Sequence, residues 1–456
     1  MIALPLGILM FGSLGTALLD GTRRRNGWLA VLILTLAMIA TVRLGWYVYH
    51  DGTQTLAVGG WSQGIGITLR VDMVGMIFAV LCQVVLLGAL IYEVVSDVGA
   101  RVFPSLVLFL AVGLTGLMFT GDAFNFYVFF EIAMISSYIL VNYGETPRQF
   151  RAAFVFITVN LLGSVLFLIG IAAIYHTTGF LDMVRIREQM PLVQENPAIL
   201  TATIIFVAFC VKLGLFPFHF WLPTVYTGTR PAVAAMLSGA LANIGTYGLI
   251  RFGMDIFPRE LEAAAPILIV LGASSIIYGG VQAVSRHSPA EVLAYSAIGQ
   301  VGYIMIALAF AGPVGLAAVI IYSVLNSLNK TVLFLSITLR GSIATTALAI
   351  GAFSVAGVPP VGGFFAKYVM FDLAISDRSP ALIILIFVGS ILSFVYMFQM
   401  YRRRVATRVE GEDHGITEQA VSLILAISIV AIGVFPDPLL QLVQAAADTL
   451  PKGYVP

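Results

Sequence analysis

The chain has 456 residues, of which 59% are apolar and only 10% charged, with a mean hydropathy of +0.99 and a net charge of +1. Soluble domains carry roughly a quarter charged residues, and a near-neutral chain has no basic footprint for nucleic acid. Long apolar runs recur throughout, so one polytopic membrane domain is expected rather than two or three soluble ones.

At about 20 apolar residues per crossing, fourteen spans are expected. The first lies near 2–20, ahead of Arg23, the first basic residue, so it reads as a retained helix rather than a leader with a charged start. The second covers about 27–48. Residues 50–70, rich in Gly and Thr, read as an external loop or β-hairpin. Spans follow near 72–95, 103–121, 123–143 and 149–175, then a charged amphipathic segment at 179–196, expected to lie in the interface. The seventh span, 198–227, contains Gly214, Pro217 and Pro223 and is expected to break, because proline removes a backbone donor and clashes with the preceding turn. Spans near 231–252, 263–284, 290–311 and 314–338 precede a second broken span at 343–375, carrying Pro359, Pro360, Gly362 and Gly363. Two more, near 381–402 and 417–436, and a short amphipathic piece at 438–449 complete the chain. Both cysteines, Cys82 and Cys210, fall in apolar runs, so neither a disulfide framework nor a metal cluster is expected.

The fold expected is thus an all-α polytopic membrane protein with broken spans 7 and 12. These lie five apart and cross in opposite directions, as inverted five-helix repeats of spans 4–8 and 9–13 would have them. The corresponding division is 1–102 for the first three helices, 103–252 and 263–404 for the repeats, and 405–456 for the last span and tail. Orientation follows from the basic residues. Thirteen arginines (23, 24, 25, 101, 148, 151, 230, 286, 340, 402, 403, 404 and 408) fall after odd-numbered spans. Seven basic residues, Arg70, Arg185, Arg187, Arg251, Arg259, Arg378 and Lys452, fall on the other side. Both termini are expected outside the cytoplasm, in a bacterial or archaeal plasma (inner) membrane.

Of four lysines, Lys212, Lys330 and Lys367 lie within apolar spans, while arginine supplies nearly all loop charge. A desolvated lysine can load and release a proton, whereas arginine stays charged. The bland alternative is a lysine that snorkels to the interface; Lys212 and Lys330 lie too deep for it. Glu131, eight residues into the fifth span, is a matching acid that pairing with Lys212 would keep ionised. Asp72 and Asp122, at span starts, read as helix-end residues. Ser323, Asn326, Ser327 and Lys330 occupy one helix face, as do Ser296, Gln300 and Tyr303, and as do Gly239, Asn243 and Thr246. Such stripes line a hydrated path or tie helices together. His219, between the two prolines of span 7, could shuttle protons or cap backbone carbonyls.

From Asp72 to Arg404 the chain resembles the antiporter-like subunits of respiratory complex I and of Mrp-type multisubunit sodium/proton antiporters. The resemblance rests on NFYVFFEIAMISSYIL, VKLGLFPFHFWLP, VLAYSAIGQVGYI and SVAGVPPVGGFFAKYVMF. The stretch from Tyr143 to Met183 looks most like the D-type subunit of the Mrp systems. The resemblance implies fourteen helices in two inverted repeats. It also implies a proton relay of Glu131, Lys212, Lys330 and Lys367, and membrane-subunit partners. Two departures stand out. ALANIG puts Asn243 where the family usually has a lysine, and Asn326 stands where a histidine is common. Asparagine can hydrogen-bond a water wire but cannot titrate.

The leading expectation is a proton-translocating subunit of an Mrp-like cation/proton antiporter. A proton-pumping subunit of a complex I-like oxidoreductase or membrane-bound hydrogenase is the alternative, and a non-conducting scaffold subunit a third. No dinucleotide motif or haem pair is present in the sequence, so any redox cofactor is expected on partners and none on this chain.

Overall fold

The computed structural model describes residues 1–60, 66–96, 98–406 and 415–449. It is an all-helical bundle with one small hairpin. Helices α1 (Ala3–Ala17) and α2 (Arg24–Asp51) lead into the antiparallel strands β1 (Gln54–Ala57) and β2 (Thr68–Val71), in the expected loop. Then come α3 (Met73–Val95), α4 (Phe103–Phe119), α5 (Ala123–Val141) and α6 (Pro147–Thr178). The short α7 (Met183–Gln189) occupies the amphipathic segment.

Polar residues at the termini decide where these helices start. Asp72 caps α3 through Gly75 N, Asp122 caps α5 through Asn125 N, and Asp182 caps α7. Thr146 and Gln149 form a reciprocal capping box on α6.

The seventh span is α8 (Glu195–Leu213), a break, and α9 (Trp221–Gly228); the twelfth is α15 (Ser342–Ala356), a break, and α16 (Gly362–Ser376). The two breaks are built alike. Each helix ends on a left-handed glycine, Gly214 or Gly357, followed three residues later by a proline in a cis peptide, Pro217 or Pro360. At the first, the amides of Gly214 and Leu215 bond the carbonyls of Val211 and Cys210; at the second, those of Gly357 and Val358 bond Ser354 and Phe353. Side chains add bonds to carbonyls at the helix ends, Trp221 Nε1 to Val211 O (3.1 Å) and Lys367 Nζ to Ala356 O (3.1 Å).

Between the breaks lies an eighth span, α10 (Pro231–Met236) and α11 (Asn243–Gly248), each followed by a π-helical stretch, Leu237–Leu241 and Leu249–Ile256. It is followed by α12 (Pro258–Ser285), α13 (Pro289–Ala309) and α14 (Gly312–Ser336). The chain closes with α17 (Pro380–Ala406), α18 (Ile416–Val434) and the short α19 (Asp437–Ala447). Each of the fourteen expected spans coincides with a helix or broken helix pair. Among the described residues eleven are long and apolar enough to cross a membrane, while α1, α4 and α15 are shorter apolar helices.

The bundle has an inside and an outside. In α13, α14 and the eighth span about nine-tenths of the most apolar window is buried, against about a third in α17 and α18. Asn243, Gln300, Ser323, Asn326, Ser327 and Lys330 sit on these inner helices, whereas Glu131, Lys212 and Lys367 lie on α5, α8 and α16.

Candidate proton-handling centres

The first centre lies between α5, α6 and α8. Lys212 sits in the last turn of α8, two residues before Gly214, buried to 5% exposure. Its ammonium donates to Asn160 Oδ1 (3.2 Å) and to Met134 Sδ, and lies 5.6 Å and 5.5 Å from the ring centres of Phe130 and Phe156. Asn160 uses its own amide to bond Phe156 O (2.9 Å), which turns its carbonyl oxygen toward the lysine. The cage is neutral. Glu131, half-buried one turn before Met134, accepts from Ser164 of α6 and forms no ion pair with Lys212. The direct pair expected from the sequence is replaced by two neighbouring sites that share α6. Asn160 and Ser164 escaped the sequence reading, although their spacing of four in an apolar helix marks one face.

His219 lies at the break itself, stacked on Phe216 (5.3 Å) and packed against Tyr278 of α12 (4.4 Å). Its Nδ1 is buried, close to the Pro217 backbone at the break.

The second centre joins the eighth span to α14. Asn243 donates to Gly239 O (2.8 Å) and to Ser327 Oγ (3.0 Å), and Ser327 can return a bond to Asn243 Oδ1 (3.3 Å). Gly239 makes this approach possible: a Cβ there would sit 2.4 Å from Thr331 Oγ1 and 3.0 Å from Ser327 O. Lys330, buried to 4%, lies one turn further along α14 and makes no hydrogen bond or ion pair among the described residues. Ser323 Oγ is likewise buried without a partner.

The third centre gathers α13, α14, α15, α16 and α17. Lys367, buried to 5%, donates to Ser393 Oγ (2.7 Å) as well as to Ala356 O. It borders a cavity also lined by Gln300, Tyr322, Asn326, Asn329 and Ser354, with about 10 Å³ available to the centre of a water molecule. That is room for about one water, and Asn326 Oδ1 and Asn329 Oδ1 are buried without protein partners. Gln300 accepts from Tyr322 (2.5 Å) and donates to Tyr396 (3.3 Å), which also bonds Ser296 (3.0 Å). The predicted α14 stripe therefore fans out, Ser327 toward the eighth span and Asn326 toward the Lys367 cavity.

Two arginine–carboxylate pairs, one buried and one with its arginine half-exposed, are not apparent from spacing in the sequence. Asp72 caps α3 as expected but also pairs with Arg251, whose other nitrogen reaches Asp255 (3.1 Å). Glu93, near the end of α3, pairs with Arg230 (2.8 Å). Arg251 is buried to 7% and so does not act as a free loop charge in the orientation count; Arg408 and Lys452 lie outside the described residues.

Over residues 120–342 the chain matches the family described as NADH:quinone oxidoreductase/Mrp antiporter, TM. It is 30% identical over 355 residues to the D-type subunit of the Na(+)/H(+) antiporter of Alkalihalophilus pseudofirmus, spanning 73% of this chain and 72% of that relative. It also superposes on a chain of the Mrp complex from Dietzia sp. DQ12-45-1b with a TM-score of 0.90 and 25% identity, covering 98% of this chain and 97% of that chain. A chain of the membrane-bound sulfane sulfur reductase, an archaeal respiratory membrane complex, superposes with a TM-score of 0.89 at 25% identity over the same shares. With the Alkalihalophilus pseudofirmus relative matched over most of both chains, the chain belongs to the NADH:quinone oxidoreductase/Mrp antiporter family of antiporter-like membrane subunits.

Proposed function

We propose that this chain is the proton-translocating, D-type subunit of a multisubunit cation/proton antiporter. It would sit in a bacterial or archaeal plasma membrane with both termini outside the cytoplasm and with other membrane subunits as partners. Its proton relay comprises Glu131, Lys212, Lys330 and Lys367, with His219 at the first break. Asn243, Asn326, Ser323, Ser327 and Gln300 serve as the hydrated connections, and the two broken spans as equivalent positions of the inverted repeats 103–252 and 263–404. The observation that carries this reading is three deeply buried lysines, none of them neutralised by a carboxylate among the described residues. An ammonium held only by dipoles and rings has no fixed counter-charge to keep it, and lysine is the basic side chain that can hand its proton on. Glu131, one α6 neighbour away, supplies a charge that can favour reprotonation. Everted membrane vesicles carrying the intact complex test it. Lys212→Ala should abolish proton transport at unchanged protein abundance, and wild-type rates in that variant would refute the relay.

One observation favours the scaffold reading. The Asn243–Ser327 contact is closed and reciprocal where the central connection must run. Asn243→Lys separates the two: a rise in proton flux marks a working path limited at its centre, and unchanged zero flux in both proteins marks a scaffold.

A further inference from the structure

We propose that the eighth span is strapped to α3 at both ends, Asp72 to Arg251 and Glu93 to Arg230, and that this strap positions Asn243 against Ser327. Both ion pairs join the same two helices in antiparallel register. Twenty-one residues separate Asp72 from Glu93, and twenty-one separate Arg230 from Arg251. At 1.5 Å per residue each interval is about 30 Å, the thickness of the hydrocarbon core. The register holds between the ends as well. The Cys82 thiol donates to Ala240 O at 3.6 Å, and a Cβ on Gly239 would meet Val85 at 3.0 Å.

Each fastening is reinforced. Arg251 also donates to Tyr247 OH (2.9 Å), which donates to Met118 O at the end of α4 (2.9 Å), while Asp72 keeps its bond to Gly75 N. At the other end Arg230 lies 4.7 Å over the Tyr143 ring.

The eighth span needs such fastening because it is π-helical in two places. A π turn shifts the side-chain register, so helical periodicity alone does not fix which residues beyond it face α14. Asn243 falls between the two π stretches. Gly239, Gly245 and Gly248, on the faces toward α14 and α8, offer no side chain to interlock. The ion pairs at the two ends then define where the middle lies. The consequence for transport rests on the relay proposed above, but the test does not require transport.

The two native cysteines supply the probe and its control. Cys82, on α3, bonds Ala240 O of the eighth span, whereas among the described residues Cys210, on α8, bonds neither the eighth span nor α3 and belongs to neither ion pair. In native membranes, alkylation by N-ethylmaleimide is followed at Cys82 in a Cys210→Ala background and at Cys210 in a Cys82→Ala background. Asp72→Asn, which preserves the cap, and Glu93→Gln should each speed Cys82 alkylation by about twofold or more, the low end of coupling between contacting residues. Cys210 should be unaffected, and the exchange Glu93→Arg with Arg230→Glu should slow Cys82 again. An unchanged Cys82 rate in both single variants would overturn the strap. So would a parallel rise at Cys82 and Cys210, which would report general loosening of the bundle.

Discussion

At the residue scale, the chemistry turns on how a lysine is kept in an apolar span. Lys212 is held by an amide oxygen, a thioether and two aromatic faces, a set that accommodates the ammonium without a fixed counter-charge. Removing the amide acceptor by Asn160→Leu should cut transport by about tenfold, since a hydrogen bond to a charged group is worth about 1.5–3 kcal/mol. An initial-rate assay on vesicles with matched protein content checks this. Ser393→Ala should weaken the Lys367 site similarly and leave the first centre intact, readable as lost transport with a native melting profile. The three lysines were legible in the sequence because four lysines in 456 residues, three of them in apolar runs, is a conspicuous pattern. Their partners were not. Asn160, Met134 and Ser393 come from other helices, and spacing along one helix cannot say which face meets which neighbour. The same limit hides the Glu131–Ser164 bond from the sequence.

At the element scale, the breaks and the straps carry the architecture. Span limits were readable from apolar length and from Pro and Gly, so both broken spans and the β-hairpin fall where the sequence puts them. The π-helical stretches of the eighth span were invisible, because nothing in an Ala- and Gly-rich run distinguishes an inserted residue from a regular turn. The Asp72–Arg251 pair was missed for a related reason, since an acid at a helix start is fully explained by capping alone. Both side chains of that pair are nearly inaccessible, and truncating one leaves the other charge buried. Arg251→Met should therefore destabilise the protein by about 3–5 kcal/mol, whereas the half-exposed Arg230 should yield a smaller loss. Thermal unfolding of the two variants in detergent ranks them. At the α6 start, Thr146→Ala removes the capping box and should cost about 1 kcal/mol, seen as a small drop in melting temperature with transport retained.

At the scale of the whole molecule, α13, α14, α3 and the eighth span form an inner layer wrapped by helices with large exposed apolar faces. Three polar centres lie in and around that layer, and the Asn243–Ser327 contact belongs to the middle one in helix order. A protein of this kind does not work alone under the reading proposed here. The tagged protein, extracted gently from its native membrane, should bring down small hydrophobic antiporter subunits. Iron–sulfur or flavin subunits in their place would assign the chain to a redox-driven pump. The directness of the relay itself is best tested by replacing Lys212 with arginine in the purified complex, reconstituted in liposomes with an imposed cation gradient. Arginine keeps the positive charge but does not release its proton, so Lys212→Arg should be as inactive as Lys212→Ala. Lumenal acidification at the wild-type rate in the arginine variant would show that a fixed charge suffices and that Lys212 does not carry the proton.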